Sequence, residues 1–196
     1  MQQGDLSGSG GAATPSPLHR LFFALMPDEE TCERLHQAAR QLKATHRTRG
    51  RWINPRRYHL TLQFLGDFDG YPATVVAQAR AAAASVRVAP FTVVLDHAGS
   101  FHNRSIPWWL GPRADAPGLA ALWHDLGAAL SRTGVHVPDG KGFRPHVTLL
   151  RDAGTALPGI DIEPAVPWRV EAFTLMHSEL GAQSRYVPLG TWPLVA

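Results

Sequence analysis

Acidic residues are missing from one stretch of this chain: none occurs between Glu33 and Asp67. Arg34, Arg40, Lys43, Arg47, Arg49, Arg51, Arg56 and Arg57 fill the interval, an imbalance that the formal net charge of +3 conceals. A stretch of that sign attracts polyanions, and a phosphate-bearing partner is the obvious candidate, although a solvated helix face and loop would have the same composition. Cysteine is nearly absent as well. Cys32 stands alone, which excludes an intrachain disulfide framework and fits a reducing, cytoplasmic setting. No apolar run approaches the length that spans a bilayer, so no membrane partner is expected. A Gly-x-Ser-x-Gly elbow is also missing, which removes the common strand-turn-helix setting of a nucleophilic serine.

What the chain does contain is one short pattern written twice. Tyr58-His59-Leu60-Thr61-Leu62-Gln63-Phe64-Leu65 and His146-Val147-Thr148-Leu149-Leu150 both read His-x-Thr-Leu. At this composition roughly 0.07 such matches are expected by chance, so two copies point to chemistry rather than packing. Side chains alternate along a strand, which puts His59 with Thr61 on one face and Leu60, Leu62 and Phe64 on the other. The second copy sorts in the same way, His146 and Thr148 against Val147 and Leu149.

Around the motifs the chain reads as mixed strand and helix. Residues 1 to 17 are poor in bulky apolar side chains and are expected to form a disordered tail, leaving 18 to 196 as a single bilobal domain. Arg20 to Met26 reads as a buried strand. Asp28, Glu29 and Glu30 open a helix whose apolar face is Leu35, Ala38, Ala39 and Leu42. A second helix runs from Pro72 to about Val86, and strands follow at Phe91 to His97 and Ile106 to Leu110. Leu119, Leu122, Trp123, Leu126 and Leu130 mark the core stripe of a third helix that starts at Pro117 and stops before Gly134. After the second motif, Leu157 to Trp168 reads as a proline-rich connection, and Arg169 to His177 and Arg185 to Leu189 as closing strands. The fold class is α+β, with two similar halves facing each other across a cleft.

Two imidazoles across a cleft can share an in-line displacement, one taking a proton from the attacking oxygen and the other protonating the leaving one. Both work near neutral pH because the ordinary histidine pKa lies there. Each threonine can donate a hydrogen bond to a nonbridging phosphoryl oxygen. The arrangement demands no metal and no cofactor, since the position at ligand-like spacing is threonine in both copies. Histidines 19, 36, 46, 97, 102, 124, 136 and 177 share no pattern and read as structural or surface residues.

At these residues the chain resembles the two-histidine (2H) phosphoesterases, and within them the RNA 2',3'-cyclic phosphodiesterases, also called 2'-5' RNA ligases. The similarity runs from about Arg20 to Leu194. It includes Arg20-Leu21-Phe22-Phe23-Ala24, the run His59 to Gly66, the run Phe143 to Arg151, then Phe173-Thr174-Leu175, Ser178, Tyr186 and Trp192-Pro193-Leu194. The resemblance implies a duplicated fold with two antiparallel sheets flanked by helices around a central cleft. It implies a monomer that opens 2',3'-cyclic phosphates on RNA ends, tRNA halves among them, to 2'-phosphates. His59 would be the proton donor and His146 the acceptor, with Thr61 and Thr148 holding the phosphate. Phe143 and Arg151 flank the second motif, where they could stack on a base and meet a phosphate, or serve as a core aromatic and a surface cation. The rival readings are a phosphodiesterase of small cyclic nucleotides or 2'-5' oligonucleotides and a noncatalytic RNA-binding module.

Overall fold

The computed structural model describes residues 17–138, 142–181 and 185–196. The expected tail, apart from residue 17, lies outside them. The chain order is β1 (Leu18–Leu25), α1 (Glu29–Thr45), β2 (Arg51–Trp52), a 3-10 turn (Pro55–Arg57), β3 (Leu60–Asp69), α2 (Ala73–Ala84), β4 (Phe91–Ser100), β5 (Trp108–Gly111), α3 (Pro117–Arg132), β6 (Val147–Arg151), β7 (Ile160–Val170), β8 (Ala172–Leu180) and β9 (Tyr186–Pro193).

Local chemistry accounts for the helices. The Asp28 carboxylate accepts from the Thr31 backbone N–H at 2.7 Å and caps α1. Leu35, Ala38, Ala39 and Leu42 are its buried face, as their spacing predicts. Pro117 starts α3 where its missing N–H costs nothing, and Leu119, Leu122, Leu126 and Leu130 are fully buried.

The strands form an antiparallel sheet in the order β7-β4-β5-β6-β3-β1-β8-β9, with β2 beside β6. The two expected sheets are its halves, β7-β4-β5-β6 and β3-β1-β8-β9. They meet at one residue pair, Leu60 with Val147. The helices cross over this junction behind the sheet. Helix α1 follows β1 of one half but packs on β7 of the other, where Arg34 and Gln41 donate to the carbonyls of Pro167 and Glu163. In the opposite sense, α3 is tied to β3 by the Gln63 amide donating to Trp123 O at 2.9 Å.

Two expectations change. Residues 157 to 168 are not all connection, because Ile160–Val170 is β7. Pro164 and Pro167 disguise it, yet this strand pairs only with β4 at the edge of the sheet, where a missing donor breaks no ladder. The alternation of the first motif also fails after Thr61. Ala24 pairs with Thr61 and Phe23 with Gln63, so Leu62 is an extra residue in a β-bulge. Leu62 and Gln63 are both buried, and Phe64 is turned to the opposite face, 39% exposed rather than in the hydrophobic backing. A second bulge follows at Leu65, beside Gly66 with φ +135°, a conformation that suits glycine.

Strand β6 carries the same irregularity. Trp109 pairs with Thr148 and Trp108 with Leu150, so Leu149 is the extra residue. Both bulges fall on the leucine of His-x-Thr-Leu. Each turns the residue five places after the histidine onto the cleft face, Phe64 in one half and Arg151 in the other.

Candidate active site

His59 and His146 each sit one residue before a strand, not within it. Each is held from its own segment in the same way: His59 Nδ1 bonds Arg57 O at 2.8 Å and His146 Nδ1 bonds Arg144 O at 2.7 Å. A carbonyl can only accept, so Nδ1 carries hydrogen in both rings and Nε2 is left to exchange a proton. The antiparallel register through Leu60 and Val147, continued one residue either way, sets His59 across from Thr148 and Thr61 across from His146. Leu60, Val147 and Leu149 are fully buried behind them, which anchors the two segments from the core side.

Aromatic rings also frame both imidazoles. His59 lies 5.2 Å from Phe22 and 5.3 Å from Tyr186, the latter edge-on. His146 lies 4.8 Å from Phe101, also edge-on, and 6.5 Å from Trp109. Burial is the main cause that pushes both histidines below the ordinary imidazole range. The carbonyl bonds oppose that shift, and the Arg151 charge adds to it at both sites. The rings are close enough for the charge on His146 to disfavour charge on His59.

The cleft in front of His59 has a volume of about 430 Å³. Thr148, Tyr186 and four arginines, Arg20, Arg51, Arg57 and Arg151, line it, and among the described residues no carboxylate does. Arg57 lies over the Tyr186 ring, 4.5 Å from its centroid. Arg51 and Arg151 are register partners on β2 and β6. Such a lining suits an anion whose charge is spread over several oxygens.

Among the expected site residues, His59, Thr61, His146 and Thr148 are brought together at the β3–β6 junction, and Arg151 faces the cleft. Phe143 is elsewhere. It does not line this cleft; it stacks on Trp123 of α3 at 5.3 Å and packs, partly buried, against the core. Sequence reasoning named Arg51 and Arg57 only as part of a basic window, and it gave no role to Phe22, Phe101 or Trp109. The window was the available signal for the arginines. The rings gave none, because their contact with the histidines comes from pairing between strands distant in sequence.

A duplicated motif that joins two imidazoles and two hydroxyls beside an arginine-lined cleft defines a two-histidine phosphoesterase. The chain belongs to the 2'-5' RNA ligase superfamily, whose family model matches residues 20–182. It is 35% identical over 183 residues to an RNA 2',3'-cyclic phosphodiesterase of Escherichia coli (strain K12), covering 89% of this chain and 96% of that one. It is 32% identical over 170 residues to the protein of the same name from Thermus thermophilus, covering 82% of each. The crystal structure of E. coli LigT in apo form superposes with a TM-score of 0.75 at 33% identity, over 92% of this chain and all of that one.

Proposed function

We propose that this enzyme hydrolyses the 2',3'-cyclic phosphate at an RNA terminus to a 2'-phosphate, by acid–base catalysis between His59 and His146. The observation that carries the reading is the repeated constellation, two histidines with the same carbonyl tether and each with a threonine opposite. His146 Nε2 takes a proton from water as its oxygen attacks phosphorus. The bond from phosphorus to O3' breaks, and the imidazolium of His59 gives its proton to O3'. Thr61 and Thr148 donate to nonbridging oxygens, and Arg57 and Arg151 offset the charge that develops there. The product keeps phosphate on O2' and a free 3'-hydroxyl, and proton exchange with solvent resets the pair. With an RNA 5'-hydroxyl in place of water the same steps join two ends, such as tRNA halves, by a 2'-5' linkage. The proposed unit is a monomer, and its proposed place is the cytoplasm, for which the lone Cys32 gives support. No helix among the described residues is long and apolar enough to cross a membrane.

The test is hydrolysis of 2',3'-cyclic AMP with and without EDTA, with product identity read by chromatography. The expected product is 2'-AMP at a rate EDTA leaves unchanged. His59→Ala or His146→Ala lowers kcat by about two to four orders of magnitude. Formation of 3'-AMP, or activity that EDTA removes and added divalent metal restores, would refute the mechanism.

A further inference from the structure

We propose that Arg51, held beside Arg151, binds a second phosphate one nucleotide away from the reacting one, so that the enzyme prefers a terminal nucleotide with phosphate on O5' to a bare nucleoside 2',3'-cyclic phosphate. This rests on the proposed function and extends it to a second anion. Strand β2 consists of Arg51 and Trp52 alone, and it occupies the edge of β6 that β3 leaves after the Leu60–Val147 pair. Several contacts pin it there. Trp52 packs against the core and meets Trp108 edge-on at 6.2 Å. The Ile53 N–H donates to Leu149 O at 2.8 Å, and the Thr48 hydroxyl donates to Ala153 O at 2.9 Å. Gly50, at φ +100°, lies so close to Arg151 O that a Cβ would collide with it. Together they fix a register in which Arg51 stands directly opposite Arg151.

That register is unfavourable in the free enzyme. Directly opposed residues of antiparallel strands are about 4.5 to 5.5 Å apart at Cα, and like charges placed so repel. Both guanidinium groups line the cleft, and among the described residues no carboxylate joins them in that lining. Nor does either arginine have an ion-pair partner among the described residues. An anion set between the two reverses the sign of the interaction, and the forked guanidinium matches the oxygens of a phosphate. The position suits a particular phosphate. Because Leu149 is bulged, Thr148 to Leu150 spans a single step of pairing with β5, so Arg151 stands two steps, roughly 7 Å, along β6 from Thr148. With the reacting phosphate at His59 and Thr148, a phosphate on the other side of the same ribose falls at the arginine pair. Arg151 then lies between the two anions, and Arg51, on the added strand, serves the second.

The experiment compares wild type and Arg51→Gln on three substrates: 2',3'-cyclic AMP, the same nucleotide phosphorylated on O5', and the dinucleotide ApA ending in a 2',3'-cyclic phosphate. The last two carry the second phosphate as a terminal group and as an internal diester. Calorimetry measures Kd for 2'-AMP and for adenosine 2',5'-bisphosphate, and thermal melts are run at low and high salt. Wild type is expected to favour both two-phosphate substrates. Arg51→Gln is expected to lower the ratio of their kcat/KM to that for cyclic AMP by about ten-fold to a hundred-fold, and to weaken the bisphosphate relative to 2'-AMP to a similar extent. A ratio that falls for only one of the two still supports the subsite and names the source of its phosphate. Relief of repulsion makes the variant melt higher than wild type at low salt, with the gap closing at high salt. An equal loss on all three substrates, an unchanged ratio and relative Kd, or a variant that melts lower at low salt would overturn the proposal. Should wild type hydrolyse none of the substrates, the functional reading fails by itself, and the two Kd values still decide whether Arg51 holds a second phosphate.

Discussion

Gly111 offers a way to move a catalytic histidine without touching it. It lies in β5 opposite His97, and a Cβ built on it would meet Pro145 O at 2.6 Å. An ordinary carbon–oxygen contact is about 3.3 Å, so Gly111→Ala must displace one of the two backbones by about 0.7 Å. The obstructing atom is a carbonyl and cannot rotate aside as a flexible side chain would. His146 is the next residue, and its ring is tethered to Arg144 O on the other side of Pro145, so the shift reaches the proposed base. Overpacking of this kind costs about 1–3 kcal/mol, which lowers Tm by several degrees in a chain of this length. A misplacement approaching 1 Å in a reacting group removes about ten-fold to a hundred-fold of kcat. The assay is kcat on 2',3'-cyclic AMP at a temperature well below the variant's own melting point, paired with a thermal melt. A variant that melts lower but retains wild-type kcat would refute the claim that the Pro145 segment positions His146.

Three further outcomes are expected. Both histidines are shifted down in the free enzyme, and one must be neutral while the other is charged, so kcat/KM is bell-shaped in pH and peaks on the acid side of the ordinary imidazole pKa. A kcat/KM peak at or above the ordinary imidazole pKa would contradict the burial argument; the bound phosphate favours the imidazolium and moves the kcat profile to higher pH, and two superimposable profiles would contradict that effect. Stability follows the same sign: folded-state values of His59, His146 and His177 below the ordinary one mean that the unfolded chain binds more protons, so Tm falls as pH drops through about 6.5; a flat Tm between pH 8 and 5.5 would contradict it. Asp28→Ala removes the α1 cap and is expected to cost about 1 kcal/mol in chemical denaturation, with kcat unchanged, whereas a loss below a few tenths of that would show the cap to be redundant.

The motif, the caps and the amphipathic stripes were legible in the sequence because each is a local pattern with its own physical cause. His-x-Thr-Leu showed itself by repetition, α1 by Asp28 and its leucine spacing, and α3 by Pro117. The bulges were not legible, because strict alternation is the only rule a strand offers before its partner is known. Alternation alone puts Phe64 in the core, and the pairing of β1 with β3 decides otherwise. Strand β7 was hidden by prolines that only an edge position tolerates, and edge position is a property of the whole sheet. The arginines of the cleft were visible as a window of charge, but which of them face His59 depends on β2 pairing with β6, far away in sequence.

The crossed helices give the narrow junction of the sheet a mechanical meaning. One residue pair between β3 and β6 could act only as a pivot. Helix α1 leaves the first half and packs on β7 of the second, and α3 leaves the second half and packs both on its own β4 and on β3 of the first, so both helices tie the two halves together. Turning about the pivot would require both braces to slide on the back of the sheet. The separation of the two imidazoles is thus governed by helices that supply none of the residues facing them.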